Sequence, residues 1–180
     1  TGRYKILSRY RSYHGATAAA MAATGEPRSW AQPPLPGMVH FTDWYHGVDR
    51  EPDTAEVAVR NLEELVMLEG RQTIAAIIVE SVTGTNGVLI PPNGYMQGVR
   101  ALCDKYGILM ITDEVMAGFG RTGKWFAIEH WNVVPDLITM AKGLTSAYVQ
   151  LGAVGVRRSI ANHFAKTPFP GGLTYNSHPL

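Results

Sequence analysis

Two short apolar runs near the middle of this chain each end in a charged side chain. Ile108-Leu-Met-Ile-Thr leads into Asp113 and Glu114, and Asp136-Leu-Ile-Thr-Met-Ala leads into Lys142, 29 residues beyond Asp113. Four to five β-prone residues bounded by polar or glycine positions read as a buried strand, most often of a parallel sheet. A charge just past such a strand stands at its carboxyl end, the edge along which open α/β sheets bind their ligands. An acid and an amine are therefore expected on one rim.

The rest of the chain supplies the elements that must hold that rim. Residues 4–10 read as a strand, Ser12-Tyr13-His14-Gly15 as a turn, and the alanine-rich stretch 16–23 as a helix, which puts Tyr13 and His14 on the same edge. Residues 24–53 hold four prolines between Pro27 and Pro36 and are expected to be a long irregular loop. Its aromatic residues, Trp30, Phe41, Trp44 and Tyr45, would pack over a site or against a partner subunit. Asp53-Thr-Ala-Glu56 reads as a capping box opening a helix that stops at Gly70. Thr73 to Val79 is the next strand, with Glu80 at its end, and Asn93 is expected to cap a helix ending at Gly107. A short helix is predicted around Lys124–His130, a strand over Leu151–Val156, and a helix over Ser159–Lys166. This alternation predicts an α/β fold with a mostly parallel sheet flanked by helices. Tyr13, Glu80, Asp113 and Lys142 each follow a predicted strand. Together they make a rim.

Totals narrow the chemistry. The 180 residues carry a net charge of +1, and no block of like charge exceeds two residues, which argues against nucleic acid or an anionic membrane surface as partner. No apolar run exceeds six residues, far short of a membrane span. The single cysteine, Cys103, excludes an internal disulfide and fits a reduced, cytoplasmic setting; its place on a helical apolar stripe reads as a buried thiol. The six histidines are scattered without metal-ligand spacing, so no metal site is expected. Gly118-Phe-Gly-Arg-Thr-Gly123-Lys124 imitates a phosphate loop, but Trp125 stands where a magnesium-binding hydroxyl belongs, and the loop comes straight after the acidic strand.

A lysine on such an edge has one further use. An amine whose charge is disfavoured by apolar neighbours attacks aldehydes and forms a Schiff base. Pyridoxal 5'-phosphate supplies an aldehyde, and its ring needs a carboxylate beside the pyridine nitrogen. Taken singly, Lys142 reads as a surface lysine and Asp113 as a cap; only together do they favour this chemistry.

At this point longer motifs enter. Ile111-Thr-Asp113-Glu114-Val115-Met-Ala-Gly118-Phe-Gly-Arg-Thr-Gly123 and Pro135-Asp136-Leu-Ile-Thr-Met-Ala-Lys142-Gly143 resemble the signature of class III (omega) pyridoxal-phosphate aminotransferases. Ser12-Tyr13-His14-Gly15, the loop after Glu80, and Gly172-Leu-Thr174-Tyr-Asn-Ser-His178-Pro179 are similar to further landmarks of that family. The resemblance implies the fold type I large domain over residues 1–180, incomplete at both ends and without its small domain. It implies that Lys142 carries the cofactor and shuttles protons, that Asp113 holds the pyridine nitrogen, and that Val115 and Tyr13 cover the ring faces. His14 and Glu80 would stand near the cofactor, and Thr174 would reach the phosphate in a neighbouring subunit of a homodimer. The implied activity moves an amino group from an amine or omega-amino acid to an oxo acid such as pyruvate or 2-oxoglutarate. Met116, Ser81 and Gln150 depart from the common pattern, and Met116 points to the amine–pyruvate or taurine-type branch. A decarboxylase or racemase of the same fold shares Lys142 and Asp113, and a non-catalytic dimerisation unit is the remaining alternative. Both chain ends read as internal to a longer protein, so residues 1–180 alone are expected to be inactive.

Overall fold

The computed structural model describes residues 1–172 together with Thr174 and Pro179. Six strands form one sheet: β1 (Lys5–Arg9), β2 (Met38–Phe41), β3 (Ile74–Glu80), β4 (Leu109–Asp113), β5 (Leu137–Met140) and β6 (Ala153–Val156), in the spatial order β2-β1-β3-β4-β5-β6. The first five are mutually parallel, and β6 runs antiparallel to β5. The reversal has a simple cause. The connection over 141–152 contains only the 3-10 turn Lys142–Leu144, and without a helix to carry the chain back, an antiparallel neighbour is the accessible partner.

Four helices accompany the sheet: α1 (Ala18–Ala23), α2 (Ala55–Leu68), α3 (Tyr95–Tyr106) and α4 (Arg158–Phe164). On α2 the buried positions are Ala58, Leu62 and Val66, spaced by four on one stripe. On α3 they include Val99, Leu102 and Cys103. These residues share one core cluster with Leu7, Ile77 and Met110, which stand side by side on three neighbouring strands. Ile6, Ile78, Ile111 and Leu137 alternate to the opposite face and are half-buried. Among the described residues no helix is long and apolar enough to cross a membrane.

Several local expectations are corrected. The 24–53 segment is not wholly irregular: it contains a 3-10 turn, Pro27–Ala31, and the edge strand β2. Four residues directly after Gly37 are too few to show a period, and an edge strand tolerates the prolines that precede it. Phe41 and Trp44 enter the core, whereas Trp30 stays exposed. The cap of α2 is Thr54, whose side chain accepts from the Val57 N–H; Asp53 instead pairs with His46 at 3.0 Å. Asn93 does not cap α3; Gly94, in a left-handed conformation, does. The helix predicted around Lys124–His130 is a 3-10 turn at Ala127–Trp131. The glycine loop folds back on itself through Phe119 N to Trp125 O at 2.6 Å and Gly120 N to Lys124 O at 3.1 Å, so it does not open a helix as a phosphate loop would. Of the stretch 172–179, residues 173 and 175–178 lie outside the described residues.

Cys103 is fully buried, and burial pushes its thiol up to about 12. Alkylation of the native protein near neutral pH is therefore expected to be slow and to become fast in denaturant, as followed by intact mass. Rapid modification of the folded protein would contradict this packing.

Candidate active site

Register assembles the site. Glu80 on β3 stands opposite Asp113 on β4, and Asp113 opposite Thr139 on β5. Side chains at matched positions of a parallel ladder share a face, so Glu80 and Asp113 turn to the same side at the carboxyl ends of their strands. The chain leaving β1 brings Tyr13 and His14 to that end, and the chain leaving β5 brings Lys142. A pocket is lined there by Tyr13, His14, Glu80, Asp113, Val115 and Lys142, with Gly15, Gly84, Thr85 and Met116 completing the wall. Thr174 is exposed and is not among the lining residues.

Asp113 is held on both oxygens. Its Oδ1 accepts from the Val115 N–H at 3.0 Å, and its Oδ2 lies 2.8 Å from His14 Nδ1. Side-chain exposure is 6% for Asp113 and 2% for His14, so the pair meets largely away from water. His14 Nε2 and Thr139 Oγ1 are buried without a hydrogen-bond partner among the described residues. Glu80 works differently: Oε1 accepts from the Tyr13 N–H at 3.0 Å and Oε2 from the Gly84 N–H at 2.8 Å. Its carboxylate thus fixes two loops of the pocket wall. The Arg28 guanidinium lies 4.1 Å above the Tyr13 ring, a cation–π contact at the mouth.

Lys142 follows the end of β5 with φ 38°, a left-handed conformation uncommon for a side-chain-bearing residue. Gly143 makes this possible in the space available, because a Cβ there would come within 2.8 Å of Phe119 Cβ. The start of β5 is pinned as well. Asp136 Oδ2 accepts from Arg100 Nη1 at 2.7 Å and from the Met110 N–H at 2.8 Å.

Two contributors were not legible as such in the sequence. Arg9 reads as an ordinary charge at a strand end, yet it is fully buried. Its Nη2 donates to the Glu80 carbonyl at 2.9 Å, and its guanidinium lies 4.8 Å over the Trp44 ring. Glu114 reads as one half of an acidic pair; its side chain lies in the core and bonds Ser81.

The arrangement offers a buried, doubly held carboxylate and an amine at one pocket, with an aromatic ring beside them. All 180 residues match the family described as Aminotransferase class-III. The chain belongs to the class-III aminotransferase family. It is 40% identical to the putrescine–pyruvate aminotransferase of Pseudomonas aeruginosa over 97% of this chain and 40% of that protein. It is 39% identical to the taurine–pyruvate aminotransferase of Bilophila wadsworthia over 91% of this chain and 37% of that protein. Among solved structures it resembles the taurine:2-oxoglutarate aminotransferase of Bifidobacterium kashiwanohense, in complex with PLP and glutamate. There the TM-score is 0.88 and the identity 48%, over 97% of this chain and 41% of that one. The chain therefore spans about two-fifths of the length of these class-III relatives.

Arg9 generates a stability prediction. Lysine keeps a donor but not the flat guanidinium that lies over Trp44, so Arg9→Lys is expected to lower the unfolding free energy by about 2 kcal/mol in urea titration. An unchanged midpoint would mean that the buried guanidinium contributes nothing to holding the Glu80 loop.

Proposed function

We propose that the complete protein is a pyridoxal-phosphate-dependent aminotransferase, acting on an amine or omega-amino acid as donor and an oxo acid such as pyruvate or 2-oxoglutarate as acceptor. Residues 1–180 form part of its cofactor-binding large domain. The observation that carries this reading is the convergence of Asp113 and Lys142 on one pocket.

The residues fit the cofactor. Asp113, buried and accepting from Val115 and facing His14, offers carboxyl lone pairs of the kind that a protonated ring nitrogen requires. Gly84 keeps the wall low, since a Cβ there would meet Met116 Cγ at 3.2 Å. When bound, the cofactor supplies an aldehyde for amines and a protonated ring that withdraws electrons from the substrate carbon. Lys142 Nζ would provide the amine that anchors the cofactor, and the same amine would carry a proton to and from the substrate carbon. Asp113 would hold the ring nitrogen and keep it protonated. Val115 and Tyr13 would cover the ring faces and exclude water, with the Tyr13 backbone held by Glu80. His14 orients Asp113. Thr174 serves the phosphate of the partner subunit's cofactor in a homodimer, and the protein works in the cytoplasm. The taurine- and putrescine-directed names of the relatives support an amine or omega-amino donor.

The test is a donor screen on the complete protein supplied with pyridoxal phosphate. Taurine, putrescine and β-alanine are each paired with pyruvate or 2-oxoglutarate, and alanine or glutamate formation is followed. At least one pair is expected to turn over, and Lys142→Ala should lower that rate by at least about a thousand-fold. Turnover that survives this substitution would refute the assignment.

A further inference from the structure

Glu114 is fully buried one residue past Asp113, and nothing in the chemistry above uses its side chain. Its carboxylate nevertheless collects three donors. Oε1 accepts from the Ser81 hydroxyl and from the Ile128 N–H at 2.8 Å, and Oε2 accepts from the Ala127 N–H at 2.9 Å. Burial pushes the carboxyl above its usual range, and these three donors offset only part of that rise. An acid this deep is costly unless its lone pairs are satisfied. Here the donors come from separate segments of chain, and each segment leads to the pocket.

Ser81 follows Glu80, the acid that holds Tyr13 and Gly84. Glu114 itself follows Asp113. Because neighbouring side chains alternate, Glu80 and Asp113 face the pocket while Ser81 and Glu114 meet behind it. Ala127 and Ile128 follow Phe126, whose ring meets that of Phe119 at 5.5 Å. Phe119 in turn lies against Gly143, beside the left-handed backbone of Lys142. The loop between is drawn close to its own start: the Gly118 N–H donates to the Glu114 carbonyl at 2.9 Å. A Cβ at Gly118 would meet that oxygen at 2.8 Å.

We propose that Glu114 is a positioning residue for the active site, whose carboxylate, through Ser81 and the 127–128 backbone, sets where Glu80, Asp113 and Lys142 stand relative to one another. It touches neither substrate nor cofactor. The Ser81–Glu114 bond is the one side-chain link in this clamp and the mildest place to cut it. The proposal deepens the aminotransferase reading and rests on it.

The experiment uses the complete protein loaded with pyridoxal phosphate, comparing wild type with Ser81→Ala and Glu114→Gln. Ser81→Ala is expected to lower kcat by about ten-fold with little change in KM for the amine donor. It should also shift the pH midpoint of the bound cofactor's visible absorbance, since Asp113 and Lys142 move relative to the ring. Glu114→Gln, which leaves a backbone N–H without an acceptor, should change both readouts further in the same direction. If it does not fold, Ser81→Ala alone decides. A Ser81→Ala protein with a lower melting temperature but unaltered kcat and pH midpoint would overturn the proposal and leave the aminotransferase reading intact. A wild-type protein that takes no cofactor on Lys142 would overturn both.

Discussion

The site depends on one constraint, the register of β3 against β4. Glu80 is matched to Asp113, and Asp113 to Thr139 on the next strand. A slip of one residue in a parallel ladder would turn every side chain of the slipping strand to the other face. Asp113 would then enter the core and Glu114 the pocket. The core prevents this. Met110 is fully buried in line with Leu7 and Ile77 across three strands, so a slip of β4 would turn it out of the core at a cost of roughly 1.5–3 kcal/mol. Hydrophobic burial under α2 and α3 is thus what places a polar site at the opposite edge.

Around that register the polar contacts divide the work. Asp113 is held by a backbone N–H and by His14, while Glu80 gives both oxygens to the backbone N–H groups of Tyr13 and Gly84. Two acids of the same charge, on the same rim, are separated in role by which hydrogen bonds they already make. Arg9 and Asp136 serve the strands themselves, one under the Glu80 carbonyl and the other at the start of β5. Buried polar groups of this kind add little net stability compared with apolar packing, but they specify one geometry.

Much of this was legible in the sequence because it is written in side-chain type. A charged residue after an apolar run marks a strand end, and that rule finds Glu80, Asp113 and Lys142 directly. What escaped is written in the backbone. The donors at Ala127 and Ile128 are N–H groups that any residue but proline carries, so nothing at those positions announces a partner for Glu114. Arg9 looks like a solvated charge until Trp44 is seen to cover it. β2 has only four residues beside a proline-rich stretch, too short for a period to show. Asp53 and Thr54 offer equivalent oxygens, and only the local chain direction selects Thr54 as the cap. The antiparallel β6 follows from a connection without a helix, whereas a strand–helix alternation extended by analogy predicts the opposite.

The proposed chemistry rests on Lys142 as the residue joined to the cofactor. Borohydride reduction of the complete protein loaded with pyridoxal phosphate, followed by proteolysis and peptide mass mapping, tests it most directly. A single reduced pyridoxyl adduct is expected on the peptide containing Lys142. An adduct on any other lysine, or none at all in a protein that retains the cofactor, would contradict it.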